Sequence, residues 1–577
     1  MKRLFQENAT PKFRNLILLF ATLLLSISCD KIISTASPDE DTAKGTAVET
    51  SSSDNIHVAF AGGGWRAHTG HTAWTMSLLE TNGNKLDNVF QHVESIGSNS
   101  GGSWFSTMLI YSPKFVTNIE TIALKNWGDT MNGGWLGGQQ NLFNDISHCS
   151  SASGEAYSAC VISYYSGIHL EWNEVVKSLV FKDYFLNGKT LNGSRQSWAN
   201  DKSLFLASTM LTNNVVLNAA GGVSGRGYNQ FYQACYNSTA NTHGKNGGSC
   251  SSGVVPDVTP VIFSSSAQST NSNLTMPPFF PEAGASTQFN IAYSQQTDNN
   301  PNTGNASIAN PINNDQVEVL HAAAASSAAV GFAASENASG GWDFSYAADN
   351  SALNFSLKNG IATYDVAQDG TSISDLASSI SVSFADGGAV DNSGVAQIVN
   401  FLQANGDDTD FHIVAFDNVQ SPPFHIGAGP TLAEAGNDIA SLFGYGLCEG
   451  NTFCSGFNCG GTCVAVPELQ VFESKTLTST PVTWSYPAKP SKYMNTPKLI
   501  YTKYKVTTVA NPAMGIKEKS TGYLHAFTCY YYNATTVPEN NKESFLTYEE
   551  MMQFINDGLK ANNNEGLAFL EKALGLK

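Results

Sequence analysis

Charged residues are scarce in this chain. They make up 14% of its 577 residues, and 30 lysines and arginines face 48 aspartates and glutamates, so the formal charge is −18. Beyond the first 14 residues, no cluster of basic residues occurs along the sequence. Proteins that bind nucleic acid, or that dock electrostatically on anionic lipid, need a positively charged surface. The composition therefore argues against both, and we expect no nucleic-acid partner.

Long apolar runs are also lacking. The one near the start, Leu16–Ile27, is too short to span a membrane comfortably, and it follows a basic segment. This pattern predicts a signal peptide over residues 1–28. Residues 29–54 are rich in small and acidic residues and predict a flexible tether. Cys29 directly after the predicted cleavage site is also compatible with a lipoprotein anchored through that residue, so we expect a secreted or cell-surface protein.

Cysteine usage agrees with export, since none of the cysteines forms a CxxC motif. Two close-spaced pairs predict local disulfides, Cys149–Cys160 and Cys235–Cys250. Four more cysteines have irregular spacings that favour disulfides over a zinc site: Cys448, Cys454, Cys459 and Cys463. Cys529, in an apolar run, is expected to be unpaired and buried. We predict no metal and no cofactor.

Asn-x-Ser/Thr sequons recur downstream of the tether. In a secreted eukaryotic protein several of them would carry glycans, whereas bacteria would mostly ignore them. The sequons lie at Asn192, Asn237, Asn273, Asn305, Asn337, Asn354 and Asn533. They leave the source of the protein open.

Two glycine-rich stretches stand out once these classes are set aside. The first, NIHVAFAGGGWRAHTGH, covers residues 55–71, and the second, HVESIGSNSGGSWFSTMLI, covers residues 92–110. Each begins as a β-type apolar run, breaks into glycines and continues as a plausible helix. No Gly-Lys-Ser/Thr follows the glycine run, which excludes a nucleotide P-loop. A serine in a glycine-flanked strand-to-helix turn is how a hydrolase exposes a nucleophile, and glycine amides can stabilise an oxyanion.

The combination of AGGGWRA, SNSGGSW and a distant ADGG resembles the catalytic domain of the cytosolic phospholipase A2 and fungal lysophospholipase (phospholipase B) family. That family is related in fold to patatin-like acylhydrolases. The third element is SVSFADGGAVDNSG, which contains Asp386. One departure is Ser98, which stands where the family usually has glycine, with Gly97 one position earlier.

The resemblance implies a lipid acylhydrolase that acts on phospholipid or lysophospholipid at a membrane or micelle surface. Its motifs assign these residues: Ser100 as nucleophile, Asp386 as base, Gly63 and Gly64 as oxyanion hole, Arg66 as phosphate ligand, and Gly62 and Gly101 as further substrate-binding positions. An aspartate has an ordinary pKa near ~4 and can serve as base only where desolvation raises that pKa. Ser98 and Ser103 are local competitors of Ser100, but neither precedes the glycine pair.

Two alternatives stay open at this point. A Ser-His-Asp esterase would need a histidine, and three lie downstream of the serine: His412, His425 and His525. A non-catalytic lipid-binding surface protein that retains the fold would also explain the Ser98 departure. An acyltransferase is a variant of the hydrolase.

Strands alternate with helices around the motifs, which predicts an α/β fold with a mixed central sheet flanked by helices, and long loop insertions. We assign residues 55–577 to one catalytic domain. Helices are predicted at 317–333, after Asp386 up to Gly406, and in two segments at 547–560 and 565–574. The Pro- and Asn-rich segment 268–314 is either a lid or a plain loop.

Overall fold

The computed structural model describes part of the chain. The described residues are 55–126, 176–181, 184, 186, 188–212, 236–237, 242–243, 257–265, 272–275, 289–293, 318–327, 364–368, 381–419, 424–426, 433–448, 463–465, 470–473, 482–487, 497–511, 514–530 and 548–577. The predicted signal peptide, the tether, both predicted disulfide pairs and most of the lid segment lie outside these residues.

The strands, in chain order, are β1 (Ile56–Phe60), β2 (Val93–Asn99), β3 (Ser203–Thr212), β4 (Tyr236–Asn237), β5 (Thr242–His243), β6 (Asp257–Ser265), β7 (Ser272–Thr275), β8 (Phe289–Tyr293), β9 (Tyr364–Gln368), β10 (Ser381–Asp386), β11 (Thr409–Val419), β12 (Phe424–Ile426), β13 (Ala433–Ala435), β14 (Tyr445–Cys448), β15 (Cys463–Ala465), β16 (Val482–Pro487), β17 (Lys498–Thr507) and β18 (Thr521–Tyr530).

The α-helices are α1 (Gly64–Thr81), α2 (Leu86–Val89), α3 (Ser100–Tyr111), α4 (Pro113–Thr121), α5 (Val319–Ser326), α6 (Gly388–Asp391), α7 (Val395–Asn405), α8 (Asn437–Leu442) and α9 (Tyr548–Ala573). Short 3₁₀ turns occupy Leu124–Asn126 and Ser197–Ala199, and a π-helical turn occupies Val176–Val180.

One large mixed sheet organises the described residues, in the order β10-β9-β8-β7-β6-β3-β2-β1-β11-β18-β17-β16. Its centre, β3-β2-β1-β11-β18, is parallel, and the strands on either side pair antiparallel. Every residue of β1 is buried, as expected for a parallel strand covered on both faces. The prediction of an α/β fold with a mixed central sheet is therefore confirmed.

Helices cover both faces of the centre of the sheet, as two neighbouring residues of β2 illustrate. Gly97 lies against α7, because an added Cβ would come 2.2 Å from the Gly394 carbonyl oxygen. The next side chain, Ser98, hydrogen-bonds to Ser106 of α3 at 2.8 Å. Successive residues of a strand point to opposite faces, so α3 and α7 lie on opposite sides of the sheet.

Several predicted elements are confirmed and others need adjustment. The helix after Asp386 ends at Asn405 with Gly406 as its left-handed cap, as predicted. The C-terminal helix α9 breaks at Ala561–Asn564, so it consists of the two predicted segments. Helix α5 is shorter than predicted. The apolar pattern of LDNVFQHVESIG predicts a strand, but Leu86–Val89 is helical and the strand begins at Val93.

Strand β3 is absent from our sequence predictions, although it lies at the centre of the sheet. Cys529 on β18 is buried with a free thiol, as expected. In the part of the chain that the structure describes, no helix is both long enough and apolar enough to cross a membrane.

Candidate active site

The glycine loop after β1 places three peptide units at the carboxyl end of the sheet. Gly63 and Gly64 have positive φ angles of 125° and 60°, which side chains disfavour, and α1 begins at Gly64. The Gly62 amide donates to the Asn392 carbonyl at 2.8 Å. By contrast, the amides of Gly63 and Gly64 meet no hydrogen-bond acceptor among the described residues. Two amide groups of the loop are therefore available to a ligand, whereas the Gly62 amide is already bonded within the protein.

Ser100 lies in a sharp turn between β2 and α3. Its φ is +49°, a strained value for a residue with a side chain. Such a turn projects the serine hydroxyl above the end of the sheet. The glycines that follow permit close packing: an added Cβ on Gly101 would come 2.0 Å from the Gly64 oxygen, and one on Gly102 would come 2.1 Å from the Phe60 oxygen. The Ser100 turn and the glycine loop are thus in direct backbone contact.

Strand β3 brings the distant aspartate to the serine. Its first half pairs with β2 up to Asn99 opposite Ala207. Its second half pairs with β10, which ends with Asp386 opposite Ser208. Since β6 occupies the other edge of β3 over the same residues, β2 and β10 meet end to end along one edge. The last residues of the two strands are therefore neighbours.

The dyad predicted from the sequence is assembled in this geometry. Ser100 Oγ donates a hydrogen bond to Asp386 Oδ2 at 2.7 Å. The other carboxylate oxygen, Oδ1, accepts from the Gly388 amide at 2.8 Å and from Asn99 Nδ2 at 3.4 Å. The separation of Oγ and Oδ2 lies within the range required for proton transfer between a nucleophile and a base.

Burial of Asp386 raises the proton affinity of its carboxyl group. The residue is 9% exposed, and desolvation raises its pKa above the ordinary value of 3.8. Hydrogen bonds from Gly388, Ser100 and Asn99 act in the opposite direction, because they stabilise the carboxylate. The net direction is upward, as the interpretation of Asp386 as a base requires.

Two of the candidate histidines belong to another part of the sheet. His412 Nδ1 and His525 Nε2 are hydrogen-bonded at 3.0 Å, and His525 Nδ1 pairs with the Tyr501 hydroxyl at 3.0 Å. No histidine hydrogen-bonds to Ser100 among the described residues. The side chain of His425 lies outside the description.

A shell of serines surrounds the nucleophile turn. Ser326 of α5 accepts a hydrogen bond from the Ser100 amide at 3.1 Å and pairs with Ser103 Oγ at 2.8 Å. Ser327 accepts from the indole of Trp104 at 2.8 Å. Ser98 is buried and bonded to Ser106, so the fold accommodates its hydroxyl beside α3. Ser98 and Ser103 are thus engaged within this shell, while Ser100 contacts the carboxylate.

Arg66 lies in the first turn of α1, two residues after Gly64, and is half-buried. Its position at the start of this helix places it next to the glycine loop. The sequence motifs therefore converge at one end of the sheet: the glycine loop with Arg66, the turn of Ser100 and Gly101, and Asp386.

Sequence reasoning missed a polar group behind the dyad. Asn99 Nδ2 donates to Asn392 Oδ1 at 2.7 Å, and Asn392 Nδ2 donates to Asp438 Oδ2 at 2.6 Å. Beyond it, burial and the neighbouring Asp438 carboxyl raise the pKa of Asp417 well above its ordinary value. The sequence did contain a signal for this group, because Asn99 and Asp417 are polar residues near the carboxyl ends of otherwise apolar strands.

Among the described residues, no three histidine, cysteine, aspartate or glutamate side chains cluster as a metal site would require. Comparison with known proteins finds no matching family model, no similar curated protein and no similar solved structure.

Proposed function

We propose that this protein is a lipid acylhydrolase that releases fatty acid from phospholipids or lysophospholipids through a Ser-Asp dyad. The observation that carries the proposal is the 2.7 Å hydrogen bond from Ser100 Oγ to Asp386 Oδ2, in a turn with positive φ. The motif resemblance to phospholipase A2 and lysophospholipase catalytic domains supplies the substrate class. Patatin-like topology and export to the cell exterior are part of the same proposal.

The proposed reaction begins when Asp386 takes the hydroxyl proton of Ser100 as Oγ attacks the acyl carbonyl carbon. The carbonyl oxygen becomes an oxyanion, which accepts hydrogen bonds from the Gly63 and Gly64 amides. Collapse of this intermediate breaks the ester bond, and Asp386 returns the proton to the leaving alcohol. Water then attacks the acyl-enzyme with Asp386 again as base, which releases the fatty acid and restores Ser100.

Arg66 supplies the proposed headgroup recognition. A guanidinium group is always charged and can hold a phosphate through two parallel hydrogen bonds. Arg66 lies in the first turn of α1, beside the glycine loop. In this arrangement the phosphate of a phospholipid binds near the loop while the acyl ester lies over Ser100.

The decisive experiment measures fatty-acid release from defined phosphatidylcholine and lysophosphatidylcholine by wild type and by Ser100→Ala. A fluorophosphonate probe, followed by peptide mapping, should label Ser100 in the wild type and nothing at that position in the variant. The matched control is Ser77→Ala, since Ser77 is also buried but bonds to Ala73 and Asn556 of the α1–α9 contact. It should keep full activity.

Two results would reject the proposal. Vesicle binding without fatty-acid release or labelling would favour the non-catalytic lipid-binding alternative. Labelling at a serine other than Ser100, with activity retained in Ser100→Ala, would favour a different esterase mechanism.

A further inference from the structure

Two carboxamide side chains meet where the three motif loops converge. Asn99 is the last residue of β2, directly before the nucleophile, and Asn392 follows Asp386 by six positions. Asn99 Nδ2 donates to Asn392 Oδ1 at 2.7 Å. Both residues are absent from the sequence-derived site, which contains only glycines, Arg66, Ser100 and Asp386.

Hydrogen bonds fix the orientation of each amide at both ends. Asn99 Oδ1 accepts from Ser326 Oγ at 3.5 Å, while its Nδ2 reaches Asp386 Oδ1 as well as Asn392. Asn392 Nδ2 donates to Asp438, and the main-chain carbonyl of Asn392 accepts from the Gly62 amide at 2.8 Å. One connected network therefore runs from the glycine loop, through both asparagines, to the carboxylate of the dyad.

The motif glycines make room for this amide pair. A Cβ added to Gly62 would come 2.0 Å from Asn392 Oδ1 and 2.8 Å from Asn99 Nδ2. One added to Gly387 would come 2.3 Å from Asn99 Oδ1, and one added to Gly388 would come 2.8 Å from Asn392 Oδ1. Glycines in two separate motifs are thus required by the same two side chains.

We infer that Asn99 and Asn392 form the positioning unit of the dyad, an inference that rests on the function proposed above. The Asn99 amide, together with the Gly388 N–H, donates to Oδ1 of Asp386 and so leaves Oδ2 directed at Ser100. The side chain of Asn392 holds the Asn99 amide in the orientation that makes this contact. The main-chain carbonyl of Asn392 fixes the first peptide of the glycine loop. Neither side chain takes part in bond making, so both are positioning residues.

The test compares Asn99→Leu, Asn392→Leu and the double variant by the pH dependence of fluorophosphonate labelling at Ser100, with fatty-acid release measured in parallel. Leucine is branched at Cγ like asparagine but cannot donate a hydrogen bond. Loss of a donor destabilises the carboxylate, so the acid limb of the labelling rate should move to higher pH. The rate at neutral pH should fall about 10- to 100-fold, the usual consequence of a misplaced catalytic group. Because the two residues act in one network, the double variant should be little worse than either single variant.

Asn99→Asp keeps the shape of the side chain and separates positioning from mere packing. It adds a negative charge beside Asp386, which should move the acid limb further than Asn99→Leu does, since a like charge raises the pKa of a carboxyl group. If a leucine variant fails to fold, Asn99→Asp still tests the positioning role of Asn99. The control is Asn400→Leu, a buried asparagine of α7 that donates to the Met514 carbonyl. It should lower thermal stability and leave the acid limb unchanged.

An acid limb identical to that of wild type in Asn99→Leu and Asn99→Asp would overturn the positioning role, as would multiplicative losses in the double variant. Failure of the proposed function is distinguishable from this outcome. In that case wild type itself would show no labelling at Ser100, whereas failure of the positioning role leaves wild-type labelling intact.

Discussion

The hydroxyl of Ser100 donates to the carboxylate of Asp386 at 2.7 Å, although 286 positions separate the two residues along the chain. The contact exists because Asn99 and Asp386 are paired with successive residues of β3, Ala207 and Ser208. The register of one central strand therefore sets the distance between Ser100 and Asp386.

Replacing Asp386 by asparagine should preserve the fold and remove the base. The amide keeps the shape of the side chain and accepts a hydrogen bond, but it cannot take the Ser100 proton. We expect fatty-acid release to fall roughly 10²- to 10⁴-fold, the range typical of general-base catalysis. Thermal unfolding should show a folded protein. Activity within a factor of about two of wild type would exclude Asp386 as the base, because loss of a general base costs far more than that.

Arg66→Ala should separate headgroup binding from chemistry. Turnover of a phospholipid loses the charged hydrogen bonds to its phosphate, whereas a neutral short-chain ester has no phosphate to lose. We expect phospholipid turnover to fall at least about 10-fold more than ester turnover, because hydrogen bonds to charged groups contribute about 1.5–3 kcal/mol. Parallel kinetics on the two substrates measure this ratio. Equal losses on both would show that Arg66 acts through the fold.

Gly101→Ala should damage the contact between the nucleophile turn and the glycine loop. The new Cβ would lie 2.0 Å from the Gly64 carbonyl oxygen, so backbone must move. Overpacking of this kind costs about 1–3 kcal/mol, and the displaced loop should also slow labelling of Ser100. Gly406→Ala is the control. Gly406 has a φ of +77°, and an added Cβ would meet no atom of the described residues within 4 Å, so this variant should lose stability without a change in labelling. Chemical denaturation and probe kinetics test both effects.

Buried histidines should make the protein lose stability in mild acid. Desolvation lowers the pKa of His57 and His71 to about 3, and that of His321 and His412 to about 4. An unfolded histidine has a pKa near 6.5, so the unfolded state binds protons first as the pH falls. Their contribution to stability is present above about pH 6.5 and is lost as the pH falls from about 6.5 to about 3, the lowest of these folded-state pKa values.

Denaturation at a series of pH values measures this loss as a slope of unfolding free energy against pH. His525→Gln should have a shallower slope than wild type, whatever its absolute stability, because burial also holds the pKa of His525 well below 6.5. A slope unaffected by this substitution would contradict the assignment of the acid sensitivity to buried neutral histidines.

Asp417→Asn should stabilise the protein at neutral pH. Burial and the adjacent Asp438 raise the pKa of Asp417 well above 3.8, so the folded state binds a proton that the unfolded state releases. Stability conferred by this proton is full below the unfolded pKa and is lost as the pH rises through the folded pKa. The neutral amide that replaces the carboxyl group has no such loss. The melting temperature of the variant protein should therefore exceed that of wild type at pH 7, and by a larger margin than at pH 4. The reverse order would show that Asp417 is held as a carboxylate.

Local sequence was sufficient for the pieces of the site. Apolar runs that break into glycines predicted β1 with its loop, β2 with the Ser100 turn, and β10 with Asp386, because strand-to-helix turns of this kind require residues without side chains. The end of helix α7 before Gly406 followed from a local signal as well.

Only the tertiary structure decided how those pieces meet. The segment Ser203–Thr212 carries no motif, yet as β3 it joins β2 and β10 end to end, and such a register depends on partners far away in the chain. The sequence equally left the triad histidines open, and the fold pairs His412 with His525 across neighbouring strands. Tertiary packing also makes Asn99 and Asn392 neighbours. No local sequence pattern predicts a hydrogen bond between residues so far apart in the chain.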